Sequence, residues 1–279
     1  MGDSDVLLAH LTWEEAEEAA SRNTLVIVPT GATEAHGPHL PLDVDTHQVA
    51  HVAELLARRV GALVAPALPY GYSSTWMHFP GTVSLSTETF QRVLEEICAS
   101  LLTHGFRRLL ILNGHRPNGT ACDVAARAVV DTHPRRDELE ITAVSYWEPA
   151  AKELHALRRS VVGGMGHACE LETSFQLATR PQLVRMERLA GKQTPLVNWD
   201  LVAPVDPSRT YGPWPDPRKG HLGVFGDPFS ASADSGSRFL EPIVDRLAAM
   251  LGEIEQRGGS YTGVAETGGG YPGRSTPSS

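Results

Sequence analysis

Apolar positions along the chain follow two alternating patterns, one typical of buried strands and one typical of helices. Apolar runs rich in branched residues, as in strands buried on both faces, lie at 25–29, 62–66, 108–112 and 140–145. Stretches in which apolar residues recur with the helical period lie at 47–59, 87–103, 118–131 and about 235–256. This succession predicts an α/β fold with a mostly parallel sheet that helices cover on both faces.

Length and the remaining pattern indicate how the chain is divided. It has 279 residues, 41% of them hydrophobic, which is enough for a full core, and we expect residues 1–257 to form one domain. The region 190–235 is rich in Pro, Gly, Asp and Trp without a clean period, which predicts long loops wrapped on the core. Residues 258–279 lack apolar periodicity, which predicts a disordered tail.

Charge and targeting signals narrow the classes of function. The formal net charge is −9, from 24 basic and 33 acidic residues, and the basic pairs are scattered among acids, which argues against binding of nucleic acid. No secretory signal is visible, and no apolar run approaches the roughly 18 residues of a membrane helix. Three widely spaced cysteines without a C-x-x-C motif fit a reducing compartment. We therefore expect a cytoplasmic protein that binds neither nucleic acid nor membranes.

Polar residues gather in three segments that follow predicted strands or open a predicted helix, at 30–46, 113–119 and 166–174. Loops that leave the carboxyl ends of parallel strands share one edge of the sheet, where ligands bind. Glu34 and His36 are two residues apart and point the same way in an extended chain. His167 and Glu170 are three apart and would be neighbours on a helix. The pattern therefore predicts that these side chains meet at one edge of the sheet.

Carboxylates and imidazoles that converge on one sheet edge repel and lose hydration unless a cation lies between them. Nitrogen and carboxylate ligands together suit Zn²⁺, Mn²⁺ or Fe²⁺. The residues that predict such a metal site are Glu34, His36, Asp45 and His115, with the 167–172 cluster. Three nearby residues have plainer interpretations, as hydrogen-bonded loop residues or a packed thiol: His39, His47 and Cys169.

Four motifs occur in a characteristic order between about residues 8 and 180. They are Glu34-Ala35-His36-Gly37-Pro38-His39-Leu40-Pro41 followed by Asp45, then His78-Phe79-Pro80-Gly81-Thr82, then Asn113-Gly114-His115 with Asn118, and last His167-Ala168-Cys169-Glu170-Leu171-Glu172-Thr173-Ser174. No single motif is specific, but together they are. At these residues the sequence strongly resembles the creatininase family of metal-dependent amidohydrolases.

The resemblance implies a fold, a cofactor and an assembly. The implied fold is a three-layer α/β/α sandwich. The implied cofactor is a pair of divalent metal ions per subunit, and Zn²⁺ is the metal we expect most. The implied assembly is a homo-oligomer, usually a hexamer built from dimers. By position, Glu34, Asp45 and His115 resemble the ligands of one metal, and His36 with Asp45 resembles those of the other. His167 matches the residue that gives a proton to the leaving nitrogen.

Two departures from the family pattern bear on the substrate. Creatinine-hydrolysing members carry a Glu two residues after the His115 position, where this chain has Pro117, which has no side-chain ligand atom. Other members carry a Glu three residues after the His167 position, and Glu170 fits that pattern. Glu170 is therefore predicted to complete the second metal and to belong, with His167, to the catalytic residues. Trp147 corresponds to one of the aromatic residues over the creatinine ring, but residues 160–166 offer no second, so we do not expect creatinine as the substrate.

The substrate pocket is expected to draw on the 70–82 loop, with Tyr70, Tyr72, Trp76 and His78, and on Trp147 and Arg116. Arg116 suits a bidentate contact to a carboxylate or phosphate, and an ion pair with a neighbouring acid is an equally good interpretation. His78 is either a substrate contact or a structural hydrogen-bond partner.

Three functions remain open on the sequence. The first is a hydrolase that cleaves an amide, cyclic amide or formamide C–N bond of a small molecule with a metal-activated hydroxide. The second is a peptidase of the same family that trims a short peptide during maturation of a cofactor or natural product. The third is a metal-stabilised binding protein without turnover. Nucleotide binding lacks support, because neither G-x-G-x-x-G nor G-x-x-x-x-G-K-[ST] follows an apolar strand.

Overall fold

A computed structural model describes residues 5–191, 194–197, 199–203 and 222–257. In this part of the chain the main sheet has four parallel strands in the order β2-β1-β3-β4. Their bounds are β1 Val26–Thr30, β2 Leu63–Val64, β3 Arg108–Asn113 and β4 Glu140–Ser145. Each predicted apolar run holds one strand. Because β1 and β3 pair in register up to Thr30 and Asn113, the segments that follow them leave the sheet side by side.

Helices lie on both faces of the sheet. Their bounds are α1 Trp13–Ser21, α2 Val44–Val60, α3 Thr87–Thr103, α4 Gly119–Thr132, α5 Ala151–Leu157, α6 Glu170–Thr179 and α7 Ala233–Gln256. Alternate residues of β1 point to opposite faces of the sheet and belong to two hydrophobic cores. Ile27 packs with α2, α5, α6 and α7, whereas Val26 and Val28 pack with α1, α3 and α4. The predicted three-layer α/β/α architecture is confirmed.

Helix starts depend on local capping. Ser86 caps α3 by accepting the backbone N–H of Thr89, and Thr12 with Glu15 forms a capping box at α1, a helix that apolar periodicity did not predict. The helix predicted over 47–59 begins three residues earlier, at Val44. Asp45 therefore lies in the first turn of α2 rather than in the preceding loop.

A second, two-stranded antiparallel sheet is formed by β5, Met165–His167, and β6, Phe225–Gly226. His167 thus ends a strand, and α6 begins only at Glu170. Between them Ala168 takes a left-handed backbone conformation with φ 51°, which turns the chain sharply. The expectation that His167 and Glu170 are neighbours on one helix is therefore wrong.

Two expectations reach beyond the described residues. The tail predicted over 258–279 lies wholly outside them, and the loop region predicted over 190–235 lies partly outside. The described parts of that region are irregular except for β6, a short 3-10 helix Pro228–Ser230 and the start of α7. None of the helices in the described ranges combines the length and the apolar character needed to cross a membrane.

Candidate metal centre

The carboxyl edge of the main sheet brings together six buried acidic and imidazole side chains from five segments. The loop after β1 supplies two of them, and the loop after β3 and the end of β5 supply one each. The first turns of α2 and α6 supply the remaining two. Each is at most 7% exposed: Glu34, His36, Asp45, His115, His167 and Glu172. Such a concentration of ionisable groups is rarely buried without compensation.

His115 lies between two carboxylates. Its Nε2 is 2.9 Å from the main-chain oxygen of Tyr72, so this nitrogen carries the proton and donates it. Its Nδ1 then faces the Asp45 Oδ2 at 2.9 Å, and the Glu34 Oε2 lies 3.5 Å from Nε2. A bare ring nitrogen and a carboxylate oxygen repel at this distance unless a proton or a metal ion joins them.

His36 repeats this arrangement. Its Nδ1 donates to the main-chain oxygen of Glu34 over 3.2 Å. Its Nε2 is 3.2 Å from the Asp45 Oδ1 and 3.8 Å from the Glu172 Oε1. One nitrogen of the ring is committed to the backbone and the other is directed at carboxylates, as in the outer-shell arrangement that orients metal-binding histidines.

His167 is held more tightly than the other two imidazoles. Its Nε2 donates to the main-chain oxygen of Ala35 over 2.8 Å, and its Nδ1 is 3.5 Å from the Glu34 Oε1. Trp76 stacks on the ring, with centroids 4.0 Å apart and planes 15° apart, and the His36 ring lies 4.3 Å away. The imidazole therefore has one fixed tautomer and little freedom to rotate.

Burial and mutual charge shift the pKa values in this cluster in different directions. Burial raises the pKa of Glu34 to about 7. Burial opposes the charged form of His115, but Glu34 and Asp45 outweigh it and raise its pKa to about 9. Burial likewise opposes protonation of His36, yet Asp45 and Glu172 hold its pKa well above the usual value. Without a metal ion, protons therefore occupy the centre.

His167 behaves in the opposite way. Burial lowers its pKa well below the ordinary value, and the charge on His36 lowers it further. At neutral pH this imidazole is uncharged, and its Nδ1 lone pair faces the Glu34 carboxylate.

The donor atoms fit a pair of divalent metal ions. Among the described residues, the buried atoms without a hydrogen-bond partner include both carboxylate oxygens of Glu34, the Nε2 of His36 and the Oδ2 of Asp45. Unpartnered buried acceptors are costly, and a cation would satisfy all four. Ligand atoms lie within 4.8 Å of one another in the groups Glu34–Asp45–His115, His36–Asp45–Glu172 and Glu34–His36–His167. We refer to the first two groups as the first and second metal positions.

Glu170 does not join this centre, which corrects the sequence-based expectation. Its two carboxylate oxygens accept the backbone N–H groups of Arg159 and Ser160, over 2.7 and 2.8 Å, and it is fully buried. Glu172, two residues further along α6, reaches His36 instead. Because α6 starts at Glu170 rather than near His167, the third helical residue, not the first, faces the centre. A capping pattern could have indicated where α6 begins. Glu172 lies three residues after Cys169, the residue that precedes the helix, and its Oε2 accepts the Cys169 N–H.

The predicted substrate-binding residues are scattered. Trp147 is 4% exposed and packs edge-on against Tyr146 in the core, so the structure does not bring it to the predicted pocket surface. Tyr72 contributes its main-chain oxygen to His115. His78 is exposed, and the Arg116 guanidinium lies over the Trp199 ring, 4.6 Å from its centroid.

His39 and Cys169 stand beside the centre without entering the ligand groups found in the described residues. The Nε2 of His39 is 3.0 Å from the Thr173 hydroxyl, and Cys169 caps α6 with its thiol buried. Burial raises the pKa of this thiol well above its usual value. Cys169 therefore fits the interpretation as a packed thiol.

Fold and centre together define a class of protein: a parallel α/β protein with a buried carboxylate–imidazole site for divalent metal at the carboxyl edge of its sheet. A family model described as creatinine amidohydrolase matches residues 9–251. The chain belongs to the creatininase family, as the sequence motifs predicted, and the expectation of a metal-dependent hydrolase is confirmed with it.

Similar proteins share most of their length with this chain. Creatinine amidohydrolase of Pseudomonas putida is 32% identical over 262 residues, which cover 89% of this chain and 96% of that protein. A mycofactocin precursor peptide peptidase of Mycobacterium tuberculosis is 33% identical over 247 residues, 82% of this chain and 85% of that protein. A solved mutant creatininase of the Zn–Zn type superposes with a TM-score of 0.73 at 31% identity, covering 90% of this chain and 98% of its own.

Proposed function

We propose that this chain hydrolyses a non-peptide C–N bond of a small molecule, in an amide, cyclic amide or formamide, at a two-metal centre. Glu34, Asp45 and His115 would hold one divalent ion, and His36, Asp45 and Glu172 the other, with Asp45 shared. One observation carries the proposal. In each imidazole of these two positions, one ring N–H donates to a main-chain oxygen, and the second ring nitrogen faces a carboxylate.

The donor set indicates which metals suit the centre. Imidazole nitrogen and carboxylate oxygen are ligands for Zn²⁺, and also for Mn²⁺ or Fe²⁺. When bound, such a pair supplies Lewis acidity and lowers the pKa of coordinated water from 15.7 towards about 7. The protein contributes a dry, fixed ligand set, since the side chains of both metal positions are almost fully buried.

His167 is suited to move a proton during hydrolysis. Because burial lowers its pKa well below the usual value, His167 is a neutral base at pH 7 and not a ready-made acid. Its Nδ1 can take a proton from the attacking water and release it to the leaving nitrogen. The hydrogen bond to Ala35 and the stack on Trp76 keep the Nδ1 directed at the centre throughout.

The substrate differs from creatinine in this proposal. Pro117 removes the ligand that creatinine-hydrolysing members place there, and Trp147 is buried in the core. Trp76 is the aromatic side chain that the structure places against His167. Tyr72, His78 and Arg116 remain proposed substrate contacts, and an anionic substrate group would pair with Arg116.

A peptidase is the second candidate, because a peptide peptidase is 33% identical to the chain, close to the 32% of the creatinine amidohydrolase. A binding protein without turnover is less well supported. A purely structural metal needs no adjacent neutral base, and His167 provides one.

A substrate screen tests the proposal. The metal-reconstituted protein is incubated with lactams, N-formyl amines, creatinine and short peptides, and the products are identified by mass spectrometry. Hydrolysis of a lactam or formamide that is lost in Asp45→Ala supports the main proposal. Cleavage of peptides alone favours the peptidase, and no product from any compound with two bound metals favours the binding protein.

Three further properties belong to the proposal. The protein acts in the cytoplasm, which fits its three free cysteines. It assembles as a homo-oligomer, a hexamer by family analogy, and exposed apolar side chains such as Val161, Val162 and Leu196 are compatible with subunit contacts. Residues 1–257 form one domain. Light scattering of the purified full chain measures the number of subunits directly.

A further inference from the structure

Glu172 completes the second metal position from α6, a helix that follows β5 of the two-stranded sheet and not a strand of the main sheet. The family position that would serve this role on the β3 edge is Pro117, so the ligand has moved to α6. The Glu172 Oε1 lies 3.8 Å from the His36 Nε2, while Oε2 is occupied by the N–H of Cys169. A small rotation or shift of α6 would separate this carboxylate from His36. The reach of Glu172 therefore depends on contacts that fix α6 relative to α2, which carries Asp45.

Gln48 makes that connection. It lies three residues after Asp45, on the same face of α2, and is fully buried. Its Nε2 donates to the main-chain oxygen of Glu172 over 3.1 Å. The amide thus contacts the backbone of the very residue whose carboxylate faces His36. α2 and α6 are joined at the point where both supply ligands.

Tyr146 holds Gln48 in its turn. The buried phenol donates to the Gln48 Oε1 over 2.7 Å. Burial keeps the pKa of Tyr146 well above its usual value, so the hydroxyl stays protonated and remains a donor. With Oε1 accepting from Tyr146 and Nε2 donating to Glu172, the amide orientation of Gln48 is fixed.

The connection extends to the sheet. The backbone N–H of Tyr146 donates to the main-chain oxygen of Asn113, and the Asn113 side chain accepts the N–H of His115, both over 3.0 Å. One continuous path therefore joins the segments that carry His115, Asp45 and Glu172. Every member is buried, where hydrogen bonds are stronger and their loss is costly.

We propose that Gln48 and Tyr146 are positioning residues that hold Glu172 within reach of His36 and so set the affinity of the second metal position. This inference rests on the metal assignment of the proposed function. The first metal position does not include Glu172, so changes in the side chains of the pair should affect its affinity far less than that of the second position. Loss of an outer-shell partner of a metal ligand typically weakens binding 10- to 100-fold.

Titration of the full chain with Mn²⁺ tests this inference without any substrate. Metal is removed with a chelator, and free Mn²⁺ is followed by electron paramagnetic resonance as ions are added. Wild type is expected to bind two ions per chain. Gln48→Met keeps the volume and removes both hydrogen bonds, and should weaken one ion 10- to 100-fold while the other keeps its affinity. Glu172→Gln marks the behaviour of a chain that lacks the second position.

Two further variants separate positioning from stability. Tyr146→Phe removes one oxygen and little volume, so it should fold, and it should weaken the same ion by a smaller factor. Val52→Ala, one turn further along α2, makes a cavity in the same buried face without touching the hydrogen-bonded path. It should lower the unfolding temperature and leave both metal affinities unchanged.

The inference is overturned if Gln48→Met and Tyr146→Phe bind both ions with wild-type affinity, or if both ions weaken equally. It is also overturned if wild type binds fewer than two ions. If the variants selectively lost one ion but wild type hydrolysed none of the compounds, the positioning role of Gln48 and Tyr146 would be supported. The proposed hydrolase activity would then be contradicted.

Discussion

The two metal positions share Asp45 but are supported in different ways. The first is built from segments that leave adjacent parallel strands, so the register of β1 with β3 already places Glu34 near His115. The second depends on α6, whose Glu172 lies near His36 and whose backbone is joined to α2 by a buried side-chain hydrogen bond from Gln48. A ligand that directly follows a strand is positioned by the hydrogen bonds of the sheet, whereas a ligand on a helix is positioned by the contacts of that helix. The first position should therefore be the more robust of the two.

Asp45→Ala should have the largest effect, because it removes the one carboxylate that both positions share. We expect metal analysis to find both ions lost and turnover to fall to background. Asp43→Asn is the matched control, since Asp43 is two residues away and pairs with Arg180 rather than with the centre. Two retained ions in Asp45→Ala would show that the positions do not share a ligand.

Glu172→Gln and Glu170→Gln should separate the metal role from the structural one. The first change should leave one ion per chain. The second should keep both ions and lower the free energy of unfolding by about 1–3 kcal/mol, because a buried carboxylate that accepts two backbone N–H groups is weakened. Metal analysis and urea unfolding measure the two effects. If Glu170→Gln lost an ion, the original expectation for Glu170 would be restored.

Glu170 and Glu172 also show which features could be predicted from the sequence and which could not. The strands were predictable because a parallel strand buried on both faces is one apolar run, and the 108–112 run became β3, Arg108–Asn113. The choice between Glu170 and Glu172 depended on the phase of α6, which the left-handed Ala168 sets. Non-glycine residues adopt that conformation only where tertiary contacts compensate for it, so no local pattern reveals it.

Trp147 illustrates the same limit for the substrate pocket. It follows β4 at the correct edge of the sheet, and its position in the sequence suits a substrate contact. Packing between Tyr146 and the helices on that face turns it into the core instead. Strand ends can be located from sequence, but the direction in which the next side chain points is decided by contacts with distant segments.

His167→Gln should reduce turnover without emptying either metal position. The expected loss in kcat is about 10²–10⁴-fold, the usual contribution of a positioned acid–base group. Metal content should stay at two ions per chain, which separates this effect from that of Asp45→Ala. His104→Gln, exposed at the end of α3, is the control and should behave as wild type. Loss of an ion in His167→Gln would instead make this residue a ligand, through its group with Glu34 and His36.

The smallest effect concerns protons displaced by metal at the first position. Glu34, with its pKa raised to about 7, and His115, raised to about 9, hold protons near neutral pH when no ion is bound. Metal binding must release them, so affinity should rise with pH through this window and level off above about pH 9. Each displaced proton makes binding about tenfold weaker for each pH unit lost. Calorimetric titration of Glu172→Gln in buffers of different ionisation enthalpy isolates this position, and binding without proton release would show that its ligands are already deprotonated.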